Sequence, residues 1–127
     1  LKAVIDTRGW PLRSQVGDKG ARAAWLLAQH ADHDVPFQRR CLVLLQQAVA
    51  AGEADPVHLA FLIDRVLRAE GRPQRYGTQF WHGPDGRGQL TAEPIADPAR
   101  LDERRLAVGL EPFAEYERRM KMLDDDS

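Results

Sequence analysis

Two aspartate–proline helix starts, each followed by a single apolar stripe and closed by a glycine, constrain this chain more than any other feature in it. In Asp34-Val35-Pro36 and in Asp55-Pro56 a carboxylate can accept a first-turn N–H, and a proline sits where its missing N–H costs nothing. After the first start, Phe37, Cys41, Leu44, Leu45 and Ala48 recur at the spacing of one helix face, with Gln38, Arg39, Gln46 and Gln47 on the wet side. After the second, Leu59, Leu62, Ile63, Val66 and Leu67 repeat the stripe, and Asp64 to Arg68 is a favourable i, i+4 pair. Gly52 and Gly71 end the two helices. Amphipathic helices joined by so short a loop hide their stripes by folding back on each other, which predicts an antiparallel helical hairpin.

Upstream, the segment from Lys19 to His33 also reads as a helix. Its run Ala21, Ala23, Ala24, Trp25, Leu26, Leu27 and Ala28 leaves almost no polar face, the pattern of an enclosed central helix. Before it, Gly9-Trp10-Pro11 and Gly17-Asp18-Lys19-Gly20 are turn-rich, and Leu1 to Thr7 reads as a short helix. After Gly71 the period shortens. Arg75 to His82 alternates and is rich in aromatics, and Pro84-Asp85-Gly86-Arg87-Gly88 is a strong turn signal. A β-hairpin returning through Gln89 to Thr91 is expected, with Tyr76, Thr78, Phe80 and His82 on one face.

Asp97-Pro98 and Glu111-Pro112 open two further helices carrying Leu101, Leu106, Phe113, Tyr116 and Met120, and residues 122–127 read as a frayed end. The expected fold is mainly α: a compact helical domain with an antiparallel helical hairpin and one small β-hairpin, a single domain over residues 1–127. A chain of 127 residues hides roughly two-thirds of its unfolded surface, enough for a real core.

Composition narrows the function classes. The formal net charge is −1 and the basic residues are interleaved with acids, so no nucleic-acid partner is expected. The densest apolar run, Ala23 to Ala28, is far short of the ~20 residues that span a bilayer, so no membrane partner is expected either. The single cysteine, Cys41, falls on a core stripe, which reads as a buried thiol in a reducing, cytoplasmic setting. The bias to Ala, Arg and Leu suits a GC-rich bacterial genome. The chain opens on Leu1 with no leader ahead of the domain, and the expectation is that the natural N-terminus is missing.

The first candidate for chemistry is the cluster His30, Asp32, His33 and Asp34, because imidazole titrates near neutrality and carboxylates orient it. On a helix His30 and His33 share a face, and His30 points inward above Leu26 and Leu27 as an acid or base in a water-poor pocket. The bland reading is a histidine favoured by a helix C-terminus and Asp34 as the next cap. A metal reading would join H-x-x-H to Asp32 and a distant His58 or His82, yet the spacing lacks H-E-x-x-H and any cysteine pair, so neither metal nor cofactor is expected.

The second candidate is Gln74-Arg75-Tyr76-Gly77-Thr78-Gln79, which offers two hydroxyls, amides and a planar guanidinium around a glycine that lets a ligand approach. The bland reading is an ordinary hairpin. Asp64 with Arg65 could reach inward to pair or to position a substrate, and Arg104 with Arg105 could clamp an anion, but both pairs read more readily as solvated charges. Trp10, in its Gly-Trp-Pro turn, is the tryptophan placed to roof a pocket. Ser14 lacks the G-x-S-x-G setting of a serine hydrolase.

The stretches GWP (9–11), VGDKGARAAWLLAQHADHD (16–34), QRYGTQ (74–79) and PIADPARLDERRLAVGLEPFAEY (94–116) resemble an uncharacterised bacterial family, a domain of unknown function. The similarity covers nearly the whole chain. It implies one compact domain and no activity, and it carries no catalytic residue across.

Chemistry alone therefore sets the functional expectation. A pocket forms from Gln29, His30, His33, Tyr76 and Gln79, and a small metal-independent enzyme uses histidine acid/base chemistry on a polar small molecule or peptide. His30, His33 and Tyr76 are the expected catalytic groups, with Gln29, Arg75, Thr78, Gln79 and Trp10 binding the substrate. The rivals are a protein- or peptide-binding adaptor docking through Phe80 and Trp81, and a non-catalytic domain that binds a small molecule.

Overall fold

A computed structural model describes residues 2–126. Along the chain run α1 (Lys2–Arg8), α2 (Arg13–Gln29), α3 (Val35–Ala50), α4 (Pro56–Ala69), strands β1 (Phe80–Trp81) and β2 (Thr91–Ala92), a single 3-10 turn (Pro98–Arg100), α5 (Leu101–Ala107) and α6 (Phe113–Asp125). The fold is mainly α with one small antiparallel sheet, as the periodicity implied. No helix among the described residues is long and apolar enough to cross a membrane.

The two aspartate–proline starts behave as their chemistry requires. The Asp34 carboxylate accepts the Phe37 N–H at 3.1 Å, and the Asp55 carboxylate accepts the Val57 N–H at 2.9 Å. Both helices end two residues before a glycine of positive φ, Gly52 at 72° and Gly71 at 70°. α3 and α4 pack on each other, and α2 packs against both. Between them lie Trp10, Trp25, Phe37, Cys41, Leu45, Leu62 and Val66 with Ile5 of α1, and each large apolar side chain buried this way stabilises the fold by about 1.5–3 kcal/mol.

Several expectations are corrected. α2 is not apolar all round: Ala23 is exposed and Leu27 is 58% exposed, while Ala24, Trp25, Ala28 and Gln29 face the core. Alanine lies on either side of a helix at little cost, so a run of alanines overstates how enclosed the helix is. The helix also begins earlier, at Arg13, breaks at Gly17 (φ 75°, ψ 174°), and stops at Gln29, with His30 as its cap. His33 is therefore off the helix. Gln38, placed on the wet side, is fully buried, its amide donating to the Ala28 carbonyl at 3.1 Å.

The second half differs more. Among the described residues only Phe80–Trp81 and Thr91–Ala92 pair as strands, Phe80 opposite Ala92 and Trp81 opposite Thr91. Residues 75–79 do not alternate; they wind around the Asp64 carboxylate. Asp97 does not cap the following turn and sits in the left-handed region at φ 42°. Leu101 is buried, whereas Leu106 is 78% exposed. Residues 122–125, read as part of a frayed end, belong to α6; Ser127, like Leu1, lies outside the described residues.

Candidate functional site

Asp64 organises the region. It sits on the buried side of α4 and is 0% exposed, because the Leu62 and Val66 stripe that faces the core carries it inward. Its carboxylate accepts the N–H groups of Arg75 (2.8 Å), Tyr76 (3.1 Å) and Thr78 (3.1 Å) and the Thr78 hydroxyl (2.8 Å). Burial pushes its carboxyl above the usual carboxylate range, and these bonds pull it back. Every partner is a donor, so the ionised, acceptor-only form fits this nest of backbone N–H groups. The Asp64–Arg68 pair read from the sequence does not form; Arg68 turns to Glu93.

Gln74 ties the same loop to the sheet. Its side-chain amide donates to the carbonyls of Gln79 and Glu93, both at 2.9 Å, and its oxygen accepts the Gln79 N–H at 2.9 Å. Its backbone bonds Pro94 and Ala96. On the far side of the loop Arg105, 1% exposed, donates to the Tyr76 carbonyl at 2.6 Å and to the Glu111 carbonyl at 2.7 Å. Arg104 donates to the carbonyls of Arg75, Asp97 and Ala96. The pair read as solvated charges is therefore a backbone clamp.

This framework positions a groove along the end of α4. Arg65 grips Asp32 through Nε (2.9 Å) and Nη2, and its Nη1 donates to Gln79 Oε1 at 3.1 Å. The Arg65 hydrogen bond, helped by Gln38, holds the Asp32 carboxyl below its usual range. One α-helical turn on, Arg68 lines two cavities. The smaller, about 270 Å3, is walled by Asp32, Val35, Arg65, Arg68 and Ala69. The larger, about 330 Å3, is walled by Arg68, Arg72, Gln74, Gln79, Trp81 and Glu93, with Gly71, Pro73 and Pro94.

Glu93 is the unusual group here. It is 8% exposed, burial raises its carboxyl above the usual range, and Arg68 and Arg65 oppose that rise. Arg68 Nε lies 3.0 Å from its Oε2, yet the alignment is not that of a hydrogen bond, and no donor among the described residues satisfies that buried oxygen. A buried acceptor left in this state costs about 1–3 kcal/mol, more for a charged one.

The residues singled out from the sequence do not meet in one pocket. Gln29 is buried and donates to the Phe61 carbonyl at 3.1 Å; His30 and His33 are exposed. His30 thus does not point into the core. Thr78 is sealed between Asp64 and the Gln79 amide, and Arg75 is exposed, its guanidinium beside the Tyr76 ring at 5.9 Å. Tyr76 spends its N–H and carbonyl on Asp64 and Arg105. Trp10 is 6% exposed and lines a separate cavity with Arg8, Pro11 and Gln15. Of the set, Gln79 alone lines the large cavity.

The distant histidines are engaged elsewhere. His58 stacks on Trp25 with ring centroids 4.3 Å apart, and burial lowers its pKa. His82 lies between the Gly88 carbonyl (3.0 Å) and Asp124 (3.1 Å). Among the described residues, no three His, Cys, Asp or Glu side chains gather to hold a metal ion. Sequence reasoning missed Glu93, Trp81 as a cavity wall, Arg68 and Arg72. Arg65 and Arg68 stand three apart on one face of α4, and that was the available signal; Arg72 lies beyond the helix, past Gly71. Nothing near Glu93 in the sequence marks it.

A family model described as a family of unknown function (DUF6624) matches residues 1–126. No curated protein matches the chain. No solved structure matches it either.

Proposed function

We propose, for a chain that belongs to this family of unknown function, that it binds a small polar molecule in the cavity between the end of α4 and the bracket formed by residues 73–94. The observation that carries this reading is Glu93: a carboxylate paired with Arg68 at 3.0 Å on the wall of a cavity of about 330 Å3 that is also lined by Arg72 and Trp81. Cavities of that size with a few convergent polar groups and a titratable group shifted by burial are where proteins hold small ligands. Asp64, Gln74 and Thr78 have their bonding spent within the chain and act as the frame.

Acid/base chemistry at His30 has less support, since an exposed imidazole outside the cavity has no water-poor pocket to work in. The adaptor reading is weakened because the aromatics it relied on are engaged: Phe80 packs on Phe113 and Tyr116, and Trp81 lines the cavity. A cytoplasmic setting fits the lone buried thiol of Cys41.

The test is to follow the indole N–H resonances of the three tryptophans while a library of polar fragments is added, with Trp81→Phe assigning the signal. A saturable shift at Trp81 that spares Trp10 and Trp25, and that Glu93→Ala removes, is the expected result. If no fragment moves Trp81, or the response centres on His30, the reading is wrong.

A further inference from the structure

The cavity walls carry a charge pattern narrower than small polar molecule. Glu93 lines the cavity and is acceptor-only when ionised, so an occupant that pairs with it must bring N–H or O–H groups. An ammonium does this best, because it donates in several directions and the bonds are charge-assisted. Arg72 is two-thirds exposed, and its nearest carboxylate, Glu70, lies 3.8 Å away and is already held by Arg39. Arg68 approaches Glu93 through Nε, which leaves the terminal nitrogens of its fork for a carboxylate. Beside these charges the lining includes apolar Trp81, Pro73 and Pro94, with the amide residues Gln74 and Gln79.

We propose that the occupant is a free α-amino acid with an apolar side chain, its ammonium on Glu93, its carboxylate on Arg68 and Arg72, and its side chain against Trp81. The inference rests on the binding reading above and names its ligand class. Alternatives fit the walls less well. A phosphate or plain carboxylate would set a second negative charge beside Glu93 and bring it no ammonium donor. A simple amine would bring no acceptor to the terminal nitrogens of Arg68 and Arg72. At about 330 Å3 the space is near the lower end for ligand pockets, which suits an amino acid better than a nucleotide.

Titration calorimetry on the full chain with three probes separates these cases: L-phenylalanine, 3-phenylpropionate, which lacks the amine, and 2-phenylethylamine, which lacks the carboxylate. L-Phenylalanine is expected to bind, with each analogue weaker by about tenfold or more, the size of one lost charge-assisted hydrogen bond. Glu93→Gln should weaken L-phenylalanine and leave 3-phenylpropionate unchanged. Arg72→Ala should weaken L-phenylalanine and leave 2-phenylethylamine unchanged, and denaturation midpoints check that both variants fold.

If 3-phenylpropionate binds as tightly as L-phenylalanine, or Glu93→Gln changes nothing, the amino-acid class is overturned while the cavity remains a binding site. If none of the three binds but another polar fragment moves the Trp81 indole resonance, the class is again wrong and the binding reading survives. If nothing moves Trp81, both fall.

Discussion

Asp64 and Arg105 hold the backbone of Tyr76 from its two sides: the Asp64 carboxylate accepts its N–H at 3.1 Å, and Arg105 Nη1 donates to its carbonyl at 2.6 Å. Neither charge has the other as a direct partner, and among the described residues no carboxylate lies within ion-pair distance of Arg105. Burial lowers the Arg105 pKa, and the Tyr116 ring, 5.0 Å from the guanidinium, faces it in compensation. A buried acid on α4 and a buried base on α5 thus fasten one irregular loop between the two halves of the fold.

That relationship predicts coupling. Asp64→Asn replaces an acceptor by an NH2 group facing donors and should cost about 2–4 kcal/mol. Arg105→Lys cannot reach both carbonyls with one ammonium and should cost about 1–3 kcal/mol. Because both act on the same loop, the double variant should lose less than the sum by about 1 kcal/mol or more. Urea denaturation of the four proteins measures this, and additivity within about 0.5 kcal/mol would mean the loop is not a shared unit.

Gly77 is required for two separate reasons. Its φ is +68°, and a Cβ there would lie 2.8 Å from the Phe113 ring. Gly86 has a similar φ of +72° with open space around it. Gly86→Ala should therefore cost only the left-handed strain, about 1–2 kcal/mol. Gly77→Ala should exceed it by a further 1–3 kcal/mol or so, the usual cost of overpacking. Equal losses in thermal or urea unfolding would argue that Phe113 yields freely.

The Asp32–Arg65 pair should leave a signature at acid pH. The folded-state pKa of Asp32 is depressed, so its contribution is fully present above the unfolded value of about 3.9 and is lost as pH falls through the lower folded value. The stability gap between the wild-type chain and Asp32→Asn should be flat above about pH 5 and close below that. With the Asp32 side chain 46% exposed, the effect is screened and should shrink in high salt. A gap that ignores pH would show that the carboxylate charge plays no part.

Cys41 reports on the core. It is 0% exposed, and burial pushes its thiol up to about 11. At about pH 8 an aromatic disulfide reagent should label the folded chain far more slowly than the chain in denaturant, with a rate set by opening of α3 from the core it packs against. Fast labelling of the folded chain would contradict the packing of that interface.

The sequence by itself determined the helical half. The caps at Asp34 and Asp55, the stripes through Leu45 and Leu62 and the stops at Gly52 and Gly71 are local features, because helix capping and periodicity depend on residues within a few positions of each other. Tertiary structure decided the rest. Asp64 reads as a surface charge until the loop around Tyr76 supplies its donors, and Gln38, Arg104 and Arg105 read as solvated for the same reason: their partners lie on other elements. His30 reads as inward-facing only if α2 is enclosed on every side, and it is packed on one. The large cavity joins Arg68 of α4 to Trp81 and Glu93 of the sheet region, residues with no local relationship, so only the folded chain brings their charges to one wall. Local patterns report which backbone a segment adopts; the cost of burying a charge is met by groups far along the chain, and that pairing is written in the fold.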